Sequence, residues 1–257
     1  MKIKTYNTLE TLDYYDDNYF EDNLGITKND YLNKFKRYII KIDDQYYFQK
    51  RIYNIFLYNE LIGRYLCNKI NLETTSLDII SKDIITSKIV TSNYRNPRYK
   101  YLRVEDHFKE EDNTKMFNDS FFFLLDKSFQ EELLKLIAID LMMEQTDRYA
   151  RNMEIYIKEN SPKLAPIVDF ELAFFGNRNF TYFNPYLLIN KNVKSLDQFY
   201  NKYPNGYKYL EDTFSTTSNE LFDYINKEYD LKVNQTVQSS IRGTIRTNEK
   251  ILKKLKG

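Results

Sequence analysis

Hydrophobic and β-branched residues fall into two runs between Arg37 and Arg51, on either side of a polar turn at Asp43, Asp44 and Gln45. That pattern predicts a β-hairpin, and its two-residue period puts Phe48 and Lys50 on one face. From residue 53 to 70 the period lengthens. Ile55, Phe56, Ile62, Leu66 and Ile70 recur at helical spacing, and Glu60 is the only acidic residue of the stretch. A strand pair is expected near 86–92 and 99–104. A second helix is expected from Ser128 to Gln145, with Leu133, Leu134, Ile137 and Leu141 as its buried stripe and Ser128 as its cap. Glu131 and Glu132 suit the positive end of that helix. After a polar run from Glu144 to Asn152, Met153–Ile157 is expected as a strand. A turn at Asn160-Ser-Pro162 leads to a further strand from Leu164 to Phe170. Beyond residue 185 the chain is helical in tendency, with turn signals at Asn184-Pro185 and Pro204-Asn-Gly206.

Strands thus crowd the first third and helices the last, with a polar hairpin between them. The expected class is α+β, in two lobes around a cleft, with a strand-rich lobe over 1–107 and a helical lobe over 108–257. The length of 257 residues suits that division. No internal repeat or low-complexity linker interrupts it.

Composition narrows the chemistry. With 38 basic against 37 acidic residues, the net charge of +1 gives no general attraction for nucleic acid, which is not an expected partner. One Cys and one His exclude an ordinary His/Cys zinc site within the chain. Cys67 lies in an apolar, helical run and is expected to be buried. No run is long and apolar enough to span a bilayer, and residues 1–7 lack the apolar stretch of a signal peptide. A soluble, cytoplasmic protein is expected, with export as an effector left open. The lysines from Lys250 to Lys256 are expected to form a solvated helix face.

The chemistry is expected in the polar hairpin. Asp147 and Asn152 lie in a short loop between helix and strand, and Asp169 ends the partner strand. A strand–turn–strand brings Asn152 and Asp169 together as oxygen donors of the kind Mg²⁺ prefers. Asp147 would face the metal-bound phosphate and accept or orient the proton of an attacking hydroxyl. Upstream, Lys50 on its strand is placed to hold the α- and β-phosphates, and Glu60 on the next helix to hold Lys50. Arg148 and Arg151 are expected to face solvent rather than substrate phosphate.

The loop Asp147-Arg-Tyr-Ala-Arg-Asn152 resembles the Asp-x-x-x-x-Asn catalytic loop of kinases, and Val168-Asp-Phe-Glu171 stands where kinases carry Asp-Phe-Gly. The stretch from Thr146 to Ile155, followed by Leu164-Ala-Pro-Ile-Val-Asp169, is most similar to the HipA-like bacterial kinases. The Asp-Arg-x-x-x-Asn form is also similar to phosphatidylinositol kinases. The resemblance runs from about Arg37 to Phe175. It implies a two-lobed protein-kinase-like fold, ATP and Mg²⁺ as cofactors, and transfer to Ser or Thr of a protein substrate. An antitoxin-like or regulatory protein partner is a further implication. By carry-over, Lys50, Glu60 and Asp147 are the catalytic set, Asn152 and Asp169 the metal ligands, and Glu105 to His107 the segment that meets adenine. His107 on its own is expected to be structural rather than catalytic.

The chain departs from the family pattern in places. Gln145 stands two residues before Asp147, where His or Tyr is usual, and Glu171 replaces the glycine after Asp-Phe. The six glycines, at 25, 63, 176, 206, 243 and 257, form no Gly-x-Gly-x-x-Gly motif. Cover for the phosphates is expected instead from Gly25 to Lys36. These departures keep two alternatives open: a small-molecule or lipid kinase, and a nucleotide-binding module without activity.

Overall fold

The computed structural model describes residues 10–12, 37–42, 45–84, 86–95, 99, 101–104, 126–145, 148, 153–167, 170, 173–174, 201 and 203–256. The first sheet has five strands, β1 (Glu10–Leu12), β2 (Arg37–Ile42), β3 (Gln45–Tyr53), β4 (Ser76–Lys82) and β5 (Thr86–Arg95), in the order β1-β2-β3-β5-β4. All its pairings are antiparallel. The expected hairpin is β2–β3, with Ile42 opposite Gln45 and Arg37 opposite Lys50.

Helix α1 (Asn54–Lys69) follows β3 without a break. Because β3 leads directly into α1, Glu60 lies two turns into the helix, close to the strand that carries Lys50. Leu57, Leu61, Ile62, Leu66 and Cys67 of α1 are buried in a core shared with Ile52 of β3, Leu77 and Ile79 of β4 and Ile89 of β5. Cys67 is buried as expected, and burial pushes its thiol up to about 12.

The second sheet is β6 (Tyr101–Arg103), β7 (Glu154–Lys158) and β8 (Ser161–Leu164), in that order and antiparallel. The expectation of a strand pair from 86–92 and 99–104 is therefore corrected: β5 pairs with β3 and β4, and β6 pairs with β7. The β7–β8 turn is Glu159-Asn160, one position earlier than expected. Both residues have positive φ, 51° and 67°, as a tight two-residue hairpin requires. Strand β8 ends at Leu164, and Ile167 makes an isolated parallel bridge to Thr74.

Helix α2 (Lys127–Met143) is capped by Asp126, whose side chain accepts from the Phe129 amide. Ser128 is instead inside the first turn, where its hydroxyl meets Lys163. Leu133, Leu134, Ile137 and Leu141 are buried as expected. The C-terminal part holds a 3₁₀ turn at Pro204–Gly206 and helices α3 (Tyr207–Phe214), α4 (Ser218–Tyr229) and α5 (Gln235–Lys256). A capping box joins Thr217 and Glu220 at the start of α4. Val237, Ile241 and Ile245 bury one face of α5, while Lys250, Lys253 and Lys254 are exposed as expected. Among the described residues no helix is long and apolar enough to cross a membrane.

Candidate active site

The sheet and α1 meet at a buried ion cluster. Lys50 on β3 donates from Nζ to Glu60 Oε1 at 2.6 Å. Arg64, one turn along α1, donates from Nη1 to Glu60 Oε2, also at 2.6 Å. All three side chains are at most 2% exposed. A buried carboxylate stays charged only where donors compensate its lost hydration, and here each oxygen has a cation. The expected pairing of Lys50 with Glu60 is therefore present. Arg64 was not foreseen, although its i,i+4 spacing from Glu60 is legible in the sequence.

Arg64 also reaches beyond its own helix. Its Nε donates to the Thr75 carbonyl and its Nη2 to Thr75 Oγ1, each at 3.1 Å. Thr75 belongs to the short crossing from α1 to β4, and that crossing grips the segment approaching Asp169. Thr74 Oγ1 donates to the Ile167 carbonyl at 2.7 Å, and the Ile167 amide donates to the Glu73 carbonyl at 2.9 Å. Residues 73–75 thus touch both the ion cluster and the chain two residues before Asp169.

A second buried pair lies at the end of α2. The helix stops at Glu144, whose φ of 53° is left-handed, and the Gln145 amide returns to the Asp140 carbonyl at 2.9 Å. Arg148 then turns inward. Its Nε donates to Asp140 Oδ2 at 3.1 Å and its Nη2 to Oδ1 at 3.3 Å. Arg148 is 6% exposed, so the expectation that it faces solvent is corrected: Asp140 offers it a buried carboxylate. Burial pushes the Asp140 carboxyl up, and Arg148 opposes that shift. The guanidinium also lies 5.1 Å from the centre of the Phe170 ring.

Phe170 is fully buried and rests on Gly63 of α1, so closely that a Cβ there would overlap its ring. Asn59 Nδ2 donates to the Ala173 carbonyl at 2.5 Å, and the Phe174 amide donates to the Met143 carbonyl at 2.8 Å. From the far side, Asn248 of α5 donates to the Met142 carbonyl at 3.0 Å. Both the residue after Asp147 and the residue after Asp169 are therefore fixed against α1 and α2.

Of the sequence-expected site, Lys50 and Glu60 are brought together. Asp147, Asn152, Asp169, Glu105 and His107 lie outside the described residues, as do Arg151, Glu171 and the stretch Gly25 to Lys36. Met153, directly after Asn152, is buried and accepts from the Val104 amide at 3.0 Å.

A strand lysine bound to a helix glutamate beside an antiparallel sheet, with a second, three-stranded sheet, belongs to a kinase-like fold, and within that class the fold is that of the HipA-like kinases. The chain is similar to the crystal structure of a Helicobacter pylori proinflammatory kinase, CtkA, with a TM-score of 0.58 and 11% identity over 86% of this chain and 92% of that one. It is also similar to HipA in a Shewanella oneidensis toxin–antitoxin complex of HipA, HipB and operator DNA. There the TM-score is 0.56 and the identity 10%, over 82% of this chain and 60% of HipA. No protein-family model and no curated protein sequence matches the chain.

Proposed function

We propose that the chain is an ATP- and Mg²⁺-dependent phosphotransferase, acting as a HipA-like serine/threonine protein kinase. The observation that carries this reading is the buried Lys50–Glu60 pair at 2.6 Å. A lysine is a compact cation on a flexible stem, suited to binding phosphate oxygens once its ammonium is anchored. The two lobes of this reading are residues 1–107 and 108–257, with the cleft between them. The fit to the cofactors is chemical: an anchored strand cation suits phosphate, and an Asn amide oxygen with an Asp carboxylate suits Mg²⁺. When bound, Mg-ATP supplies a transferable phosphoryl group with its charge partly neutralised.

The chain's residues do the rest. Lys50 binds the α- and β-phosphate oxygens, and Glu60 holds Lys50. Asn152 and Asp169 would hold the metal. Glu105 to His107 face the base. Asp147 would accept the proton of the acceptor hydroxyl as the hydroxyl oxygen bonds to the γ-phosphorus and the bond to the β,γ-bridging oxygen breaks, releasing ADP. The acceptor is a Ser or Thr of a protein. The Shewanella HipA structure, which contains HipB, supports a regulatory protein partner for this chain.

The test is transfer of label from γ-labelled ATP with Mg²⁺ to a cell-lysate acceptor pool, using wild type, Asp147→Asn and Asp169→Asn. Wild-type labelling of Ser or Thr that falls by about 10²–10⁴-fold in the Asp147 variant supports the reading. Labelling confined to lipids or metabolites replaces the protein acceptor with a small one. Mg-ATP binding with no transfer to any hydroxyl makes the chain a nucleotide-binding module.

A further inference from the structure

The Lys50–Glu60 pair has a third member that the proposed chemistry does not use. Arg64 is 2% exposed, and among the described residues its hydrogen bonds run to Glu60 and Thr75. Stability alone is a weak reason for such a group. A buried ion cluster is usually worth no more than well-packed apolar side chains of the same volume. What the cluster supplies is position. Glu60 has freely rotating side-chain bonds, and Lys50 has a four-carbon stem. A carboxylate held at Oε1 by Lys50 and at Oε2 by a planar guanidinium itself forked onto Thr75 has one orientation.

We infer that Arg64 is a positioning residue for phosphate binding: by fixing Glu60 Oε2 and bracing on Thr75, it sets where Lys50 Nζ stands. This rests on the kinase reading above. The brace also explains the geometry of the α1–β4 crossing. Thr75 holds Arg64, while its neighbour Thr74 holds the Ile167 carbonyl two residues before Asp169. The lysine that receives phosphate and the strand that leads to the metal ligand therefore share one strut.

The test measures affinity for Mg-ATP and for adenosine, which lacks phosphates, in the full chain and in Arg64→Met, Arg64→Lys and Thr75→Val. An effect that runs through Lys50 weakens ATP alone, whereas general loosening of the site weakens both ligands. Arg64→Met is expected to lose about tenfold or more in Mg-ATP affinity with adenosine changed less than about twofold. Arg64→Lys keeps a cation beside Glu60 but loses the fork, so it falls between Arg64→Met and wild type. Thr75→Val deletes one hydrogen bond and shifts Mg-ATP affinity about two- to threefold in the same direction. It carries the test if Arg64→Met does not fold. Equal losses for both ligands, or no loss for Mg-ATP, overturn the inference while the kinase reading stands. A wild-type chain that binds no Mg-ATP overturns both.

Discussion

Two carboxylates are held along helix α1, in two different solvents. Near its middle, Glu60 is held by Lys50 and Arg64, and none of the three is more than 2% exposed. In its last turns, Tyr65 Oη and Lys69 Nζ both donate to Glu220 Oε1 of α4, at 2.7 and 2.9 Å. There Lys69 is 25% and Glu220 39% exposed. The chemistry is nearly the same, two donors on one carboxylate, yet the consequences differ. Water can replace any partner at Glu220, so that cluster ties α1 to α4 modestly. At Glu60 no water replaces a lost partner, so both Lys50 and Arg64 depend on its carboxylate. The surface cluster adds a small increment of stability, and the buried one fixes geometry.

The largest expected effect follows from removing the shared anion. Glu60→Ala leaves two cations buried without it, which costs about 3–5 kcal/mol when one partner of a buried pair is deleted. Urea denaturation followed by helix signal measures this. A loss below about 1 kcal/mol would mean that the site admits water, and the contrast with Glu220 would collapse.

Next in size is Gly63→Ala. Alanine favours a helix interior over glycine by about 1 kcal/mol. At Gly63, however, the added Cβ would overlap the Phe170 ring, and overpacking costs about 1–3 kcal/mol. The expected result is a net loss of stability, up to about 2 kcal/mol; under the proposed function phosphate transfer also slows, because Phe170 adjoins Asp169. Gly243 of α5 is the internal control. Nothing lies within 4 Å of a Cβ there, so Gly243→Ala is expected to gain about 0.5–1 kcal/mol. If both substitutions stabilise the chain, the close approach of Phe170 to α1 is not a feature of the folded protein.

These contrasts also show why some of the site was legible from sequence and some was not. The β2–β3 hairpin and α1 are contiguous, so local periodicity places Lys50 on a strand and Glu60 on the next helix, and the kinase pattern pairs them. The partner of β6 was not local. Tyr101–Arg103 pairs with a strand some 50 residues on, and no pattern within either segment announces it. Strand β4 was missed although Leu77 and Ile79 alternate, because its polar positions dilute so short a run. Arg64 and Arg148 were missed or misplaced for a common reason. An arginine is assigned to the surface until its buried partner is known, and Asp140 of Arg148 lies on another element. The cap of α2 was displaced by two residues because Asp126 and Ser128 are both competent, and only geometry chooses between them.

The smallest effect is the sharpest test of the comparison. Burial would raise the Glu220 carboxyl, but the bonds from Tyr65, Lys69 and the Thr217 amide outweigh it and hold the group down at about 2. Free glutamate titrates near 4.3, so the folded state releases this proton more readily than the unfolded chain. Its contribution is therefore complete above the unfolded value and is lost as pH falls from about 4.5 towards 2. Because Glu220 is more than a third exposed, solvent screening limits it to about 1 kcal/mol or less. Glu220→Gln removes the charge; its amide oxygen can still accept from the Thr217 amide, while its amino group faces Tyr65 and Lys69 in place of the acceptor Oε1. The stability gap between wild type and Glu220→Gln, followed by denaturant titration, should be largest above pH 5 and shrink as pH falls through that window. It should also shrink in high salt at neutral pH. A gap unchanged by pH and salt would place the stabilisation in hydrogen-bond geometry rather than in charge. The two carboxylate clusters along α1 would then differ in degree of burial but not in kind.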